Sequence, residues 1–176
     1  MSTALVVVDI QNDYFPGGAM ELVGSVEAAI VANSIQKDFR KNGLPVIHVQ
    51  HVATSPNATF FLPNTSGVEI HESVKPLENE KVIVKHFPNS FRETELLKTL
   101  KDLNVTKLTI IGMMTHMCID STVRAANDLG FSVTVYENAC ATTNLTLGDH
   151  TSKAADVQVA FLSALDGSFA TVKSFK

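Results

Sequence analysis

The sequence predicts an α/β protein in which helices cover both faces of a parallel sheet. Three observations lead there. Short β-branched runs alternate along the chain with segments of helical periodicity, the pattern of right-handed βαβ crossovers. Several of these runs are apolar along their length rather than alternating, as strands buried on both faces are. The 176 residues, 45% hydrophobic and 18% charged, suffice for a single domain over 1–176 with one sizeable core.

The elements follow in order. ALVVVDI (4–10) is the first strand, and the turn-rich QNDYFPGGAM (11–20) leads out of it. SVEAAIVANSIQKDFRKNG (25–43) is a helix whose apolar spacing marks Val26, Ile30, Ile35 and Phe39 as its inner stripe. Ser25 suits its N-cap and Gly43 its C-cap. LPVIHVQHV (44–52) is the second strand. Residues 53–76, rich in Pro, Asn, Thr, Ser and Gly, form a connection long enough to suggest function. EKVIVKHF (80–87) is the third strand and TELLKTLKDLN (94–104) a helix. KLTIIG (107–112) is a strand, STVRAANDLG (121–130) a helix and FSVTVYENA (131–139) a strand. DHTSKAADVQVAFLSALDG (149–167) reads as the last helix and FATVKSF (169–175) as an edge strand.

The charge pattern excludes several partners. The formal net charge is −4 and no Lys/Arg block occurs, so neither nucleic acid nor an anionic membrane is expected. MSTALVVVDI has no basic leader and its apolar run breaks at Asp9, so neither a signal peptide nor a span is expected there. With Cys118 and Cys140 as the two cysteines, no disulfide framework is expected, and reduced thiols point to a cytoplasmic setting.

In parallel α/β sheets, ligands gather at the carboxyl ends of the strands. Asp9 ends the first strand, Lys85 ends the third, and Cys118 follows the fourth in GMMTHMCIDST, where strand passes into helix. Taken singly, each has a plainer role: a turn-capping carboxylate, a solvated strand-end cation, a buried apolar cysteine. Sharing one edge, they suit acyl transfer through a thioester. An ammonium and a helix start favour thiolate, the carboxylate moves the proton, and helix-start amides receive an oxyanion. Cys140 has no comparable acid or cation before it and is read as structural.

These segments carry a resemblance. LVVVDIQNDYF, VIVKHFPNSF and IIGMMTHMCIDSTVRAANDLGF, together with FLPNTSGVEIH and VTVYENACAT, resemble the isochorismatase-like cysteine hydrolases, a superfamily that includes nicotinamidases and related amidases. The resemblance runs through almost the whole chain. It implies a three-layer α/β/α fold of isochorismatase-like (Rossmann-like) topology with a mainly parallel six-stranded sheet, and a homo-oligomer. It assigns the catalytic roles to Asp9, Lys85 and Cys118. It also implies a cis peptide at Met113–Met114 that turns the Met114 amide beside that of Cys118 as the oxyanion hole.

Nicotinamidases place a metal on an Asp-x-His motif after the second strand; here the region reads HVQHVATSPNATFF, with no Asp between strand and loop. His48 and His51, three residues apart on a strand, point to opposite faces and chelate poorly. His71 and His86 are expected in a loop and facing away from Lys85. No metal and no cofactor are therefore expected. The sequence thus leads to a metal-independent hydrolase acting on the C–N bond of a small amide, ureide or lactam. Gln11, Phe15, Phe87, Phe91, Thr115, His116 and Ile119 are candidates for its pocket. Phe15 and Phe87 are expected to clamp a planar substrate, His116 ranks below Lys85 as activator, and the methionines pack. Two other readings stand beside this one: a vinyl-ether hydrolase in which Asp9 acts as acid, and a non-enzymatic redox sensor built on Cys118.

Overall fold

The computed structural model describes residues 2–176. Six strands form one sheet: β1 (Ser2–Val8), β2 (Val46–His51), β3 (Lys81–Lys85), β4 (Val105–Met113), β5 (Ser132–Ala141) and β8 (Thr171–Lys173). The order is β3-β2-β1-β4-β5-β8 and every pairing is parallel. The predicted last strand is indeed an edge. β6 (Leu145–Leu147) and β7 (His150–Ser152) make a separate antiparallel hairpin.

Alternate residues of β1 feed two apolar layers, as a strand's period of two requires. Ala4, Val6 and Val8 pack with Leu96 and Leu100 of α2 (Leu96–Asp102), Val123 and Ala126 of α3 (Asp120–Asp128), and Leu162 and Leu165 of α4 (Ala154–Leu165). Leu5 and Val7 pack on the other face against Ala28, Ala29, Ala32, Ile35 and Phe39 of α1 (Ser25–Lys41). Phe61, Val68 and Val74 join this second layer. The long 53–76 segment, carrying two short 3-10 turns, therefore takes a place beside α1 as part of the core.

Three local expectations are corrected. Gly24, in the left-handed region, is the N-cap of α1; Ser25 lies inside the helix and is buried. Val26 and Ile30 face outward, because the small residues Ala28, Ala29 and Ala32 form the inner stripe and let the helix sit close to the sheet. The predicted last helix begins at Ala154, since the Gly148-Asp149 turn folds residues 145–152 into the hairpin instead.

Gly112 holds the centre together. It lies in β4 at φ +131°, and a Cβ there would collide with the carbonyl oxygen of Val8. A glycine lets the β1–β4 ladder close just before the turn that carries Cys118.

Candidate active site

The site grows from the carboxyl ends of β1, β2, β3 and β4. Asp9 follows β1 with φ 52°, a left-handed conformation that costs a residue with a Cβ about 1 kcal/mol. Its N–H donates to the Val49 carbonyl at 3.0 Å and its own carbonyl accepts from the Gln11 N–H at 3.0 Å. The chain thus turns at Asp9 while still tied to β2. Lys85 is the last residue of β3, whose outward residues Val82 and Val84 leave Ile83 and Lys85 buried. Cys118 does not start the helix as expected. It lies on a π-helical turn, Thr115–Ile119, that precedes α3, and the peptide Met113–Met114 before that turn is cis.

The three predicted residues meet. The Lys85 ammonium lies 2.6 Å from Asp9 Oδ2 and donates to Cys118 Sγ at 3.2 Å. Asp9 and Lys85 are fully buried and Cys118 is 5% exposed. Burial works against the Lys85 charge, but Asp9 and Cys118 outweigh it and hold the ammonium above its ordinary range. Burial first, then the charge of Asp9, push the Cys118 thiol well above its ordinary range, and Lys85 only partly opposes them. Burial and Asp9 thus favour the thiol, and Lys85 works toward the thiolate. Among the described residues, neither buried oxygen of Asp9 receives a well-directed hydrogen bond beyond the ion pair, so the carboxylate keeps acceptor capacity for a proton. Cys140 is also buried and its thiol is pushed up to about 12 by burial, with no charged partner.

His51 is a fourth member of the cluster, which the sequence presents only as a weak metal-ligand candidate. It ends β2, which lies between β1 and β3, and its Nδ1 sits 2.9 Å from Lys85 Nζ. Burial, then the neighbouring Lys85 charge, lower its pKa to about 4, so the ring is neutral. The strand-end rule that picks out Asp9 and Lys85 applies equally to His51. His48 points to the other face and bonds Glu80 at 3.0 Å, so the two histidines do not converge. His86 bonds the Val52 carbonyl and His71 stacks on Phe15, with ring centroids 3.6 Å apart.

The donor atoms of Asp9, His51 and Cys118 lie within 4.8 Å of one another. The Lys85 ammonium touches all three residues, so a divalent cation there would meet a fixed positive charge at contact distance. After β2 the chain offers Val52, Ala53 and Thr54 and no carboxylate. The residues present do not fit the metal of a nicotinamidase.

A cavity of about 360 Å³ opens beside the cluster, lined by His51, Ala53, Thr54, Ser55, Ala58, Phe60, His86 and Phe87. His51 is the wall it shares with the trio. Of the predicted pocket residues, Phe87 lines this cavity, with the Arg92 guanidinium 3.6 Å from its ring centroid. The others are engaged elsewhere. The Gln11 side chain donates to the His51 and Val68 carbonyls and accepts from the His51 N–H, clamping the end of β2. The Thr115 hydroxyl donates to Gln158 Oε1 at 2.7 Å and lies 3.2 Å from the Ala141 carbonyl, and His116 pairs with Thr142 at 2.6 Å rather than with the thiol. Ile119 and Phe91 pack in the layer under α2, α3 and α4. Phe15 is held by His71, so Phe60, not Phe15, faces the cavity with Phe87.

Comparison with known proteins gives the same frame. The isochorismatase domain matches residues 3–172. The isochorismatase family protein YddQ of Bacillus subtilis (strain 168) is 53% identical over 174 residues, 99% of this chain and 97% of that protein. A solved isochorismatase from Pseudomonas putida KT2440 is 32% identical with a TM-score of 0.91, covering 98% of this chain and 87% of the other. A streptothricin hydrolase from Streptomyces noursei is 32% identical over 139 residues, 79% of this chain and 49% of that protein. No helix among the described residues is long and apolar enough to cross a membrane. The chain belongs to the isochorismatase family of hydrolases.

Proposed function

We propose that the protein is a metal-independent cysteine amidase that cleaves the C–N bond of a small amide, ureide or lactam. The observation that carries this reading is Lys85 held between Asp9 at 2.6 Å and Cys118 at 3.2 Å, at the carboxyl edge of the sheet. The hydrolase character of the family and the likeness to a streptothricin hydrolase support it.

The mechanism starts from the thiol. As Cys118 Sγ attacks the amide carbon, its proton passes to Asp9 and the carbonyl oxygen becomes an oxyanion received by the amides of Met114 and Cys118. Lys85 offsets the negative charge as it moves from Asp9 to the sulfur and the oxyanion. Collapse breaks the C–N bond, and the proton on Asp9 goes to the departing amine. Water then attacks the thioester, giving a proton to Asp9, which returns it to the leaving sulfur. The products are a carboxylic acid and an amine or ammonia.

The thiol also separates this reading from its rival. Vinyl-ether cleavage needs an acid and no sulfur nucleophile, whereas here the sulfur has a dedicated cation beside it. The test is a panel of small amides, with isochorismate, assayed for ammonia and for pyruvate, together with intact-mass analysis of the protein. Ammonia release with a mass increment on Cys118, both lost in Cys118→Ala, is expected. Full amide turnover by Cys118→Ala, or pyruvate release without ammonia, would overturn the proposal.

A further inference from the structure

The sharing of His51 between the charge cluster and the cavity has a chemical consequence. An ammonium has only hydrogens to offer, so His51 Nδ1, at 2.9 Å from Lys85 Nζ, must accept. The proton of the neutral ring is then on Nε2. That nitrogen makes no hydrogen bond among the described residues, and it is not among their buried, unpartnered polar atoms. His51 is one of the residues that line the cavity, and it is partly exposed. Its main chain is fixed on both sides, since Gln11 accepts from the His51 N–H at 2.8 Å and donates to the His51 carbonyl at 2.9 Å. Phe61 holds the ring plane from the loop side, 5.9 Å between centroids. A side chain fixed in place and tautomer, with one free N–H at a cavity wall, is a directed donor rather than a packing group.

We propose that His51 determines specificity: its Nε2–H donates to a hydrogen-bond acceptor on the acyl part of the substrate, selecting small uncharged amides that carry a second carbonyl oxygen. This rests on the amidase reading for the orientation of the substrate, with its scissile amide toward Cys118. The rest of the cavity agrees with an uncharged ligand. Phe60 and Phe87 supply aromatic faces, Thr54 and Ser55 supply hydroxyls, and no Asp, Glu, Lys or Arg lines it.

The experiment uses binding, so its outcome does not depend on whether Cys118 is the nucleophile. In Cys118→Ala, N-acetylglycinamide and pentanamide form a matched pair, similar in length, with and without the second carbonyl. N-acetylglycinamide should bind about tenfold tighter, the worth of one neutral hydrogen bond. The ring ¹⁵N spectrum at neutral pH should show His51 protonated on Nε2 alone, with the Nε2 signal shifting on titration. In His51→Phe on the same background the preference should fall to about one. His51→Gln, which retains a donor and an acceptor, should recover most of it. Equal affinity for the two probes, no binding of either, or a ring protonated on Nδ1 would each overturn the proposal. Failure of Cys118 to become acylated, with the preference intact, would remove the amidase reading and leave the binding role standing.

Discussion

Replacing Lys85 by methionine keeps the length of the side chain and removes its charge, stranding the fully buried Asp9 carboxylate. At 2.6 Å and an effective dielectric of about 20, the lost attraction is about 6 kcal/mol. Relief from desolving the ammonium offsets part of it, and removing one partner of a buried pair typically costs about 3–5 kcal/mol. Lys85→Met should therefore lose about 4 kcal/mol at pH 7, measured against the wild type by urea unfolding. Adding Asp9→Asn removes the stranded charge, so the double variant should lose about 2 kcal/mol less than the sum of the singles at pH 7. Additive losses would refute the claim that these two side chains form one buried charge pair.

Other predictions concern the scaffold. Gly112→Ala forces a Cβ onto the Val8 carbonyl and should cost about 2–4 kcal/mol, lowering Tm by several degrees in a thermal scan. Asp13 accepts from the Phe61 N–H at 2.6 Å and the Ala19 N–H at 3.2 Å; Asp13→Asn should speed hydrogen exchange over 58–64 and leave β1 and β4 protected. The lowered His51 pKa means a contribution fully present above its ordinary value of 6.5 and lost as pH falls toward about 4; His51→Gln should flatten the stability profile across that window. Glu80 is pulled down to about 2 against its burial by Arg40, the Leu77 N–H and His48, so its contribution persists above about 4.5 and is lost toward pH 2. Glu80→Gln should lose stability at pH 7 and little near pH 2 in urea unfolding.

How much of this was legible depended on which physical rule each residue obeys. Alternating strands and helices led to the parallel sheet, and the sheet led to its carboxyl edge, where Asp9, Lys85 and Cys118 do lie together. His51 obeys the same rule, but in the sequence its H-x-x-H spacing with His48 points at most to weak metal chelation instead. That β2 lies between β1 and β3 is a fact of strand order, which local pattern does not encode. Phe60 and Phe61 belong to a segment without periodicity, so nothing local distinguishes the ring in the core from the ring on the cavity. Val26 and Ile30 misled because hydrophobicity alone ranks them above the alanines that line the buried face of α1. The hairpin was readable from LTLGDHTS, whose Gly-Asp pair is a turn signal, but the longer helical stretch after it dominated the reading. The direction of the thiol shift needed coordinates, since it rests on burial competing with two opposite charges.

The 53–76 segment has a consequence for how this enzyme can change. Phe61, Val68 and Val74 are core residues, while Ala53, Thr54, Ser55, Ala58 and Phe60 of the same stretch face the cavity. Remodelling that stretch to admit a different ligand would disturb the packing of α1 at the same time. Diversification should therefore proceed by single exchanges at outward positions such as Thr54 and Ser55, and whole-loop transplants between relatives should bring new selectivity and fragility together.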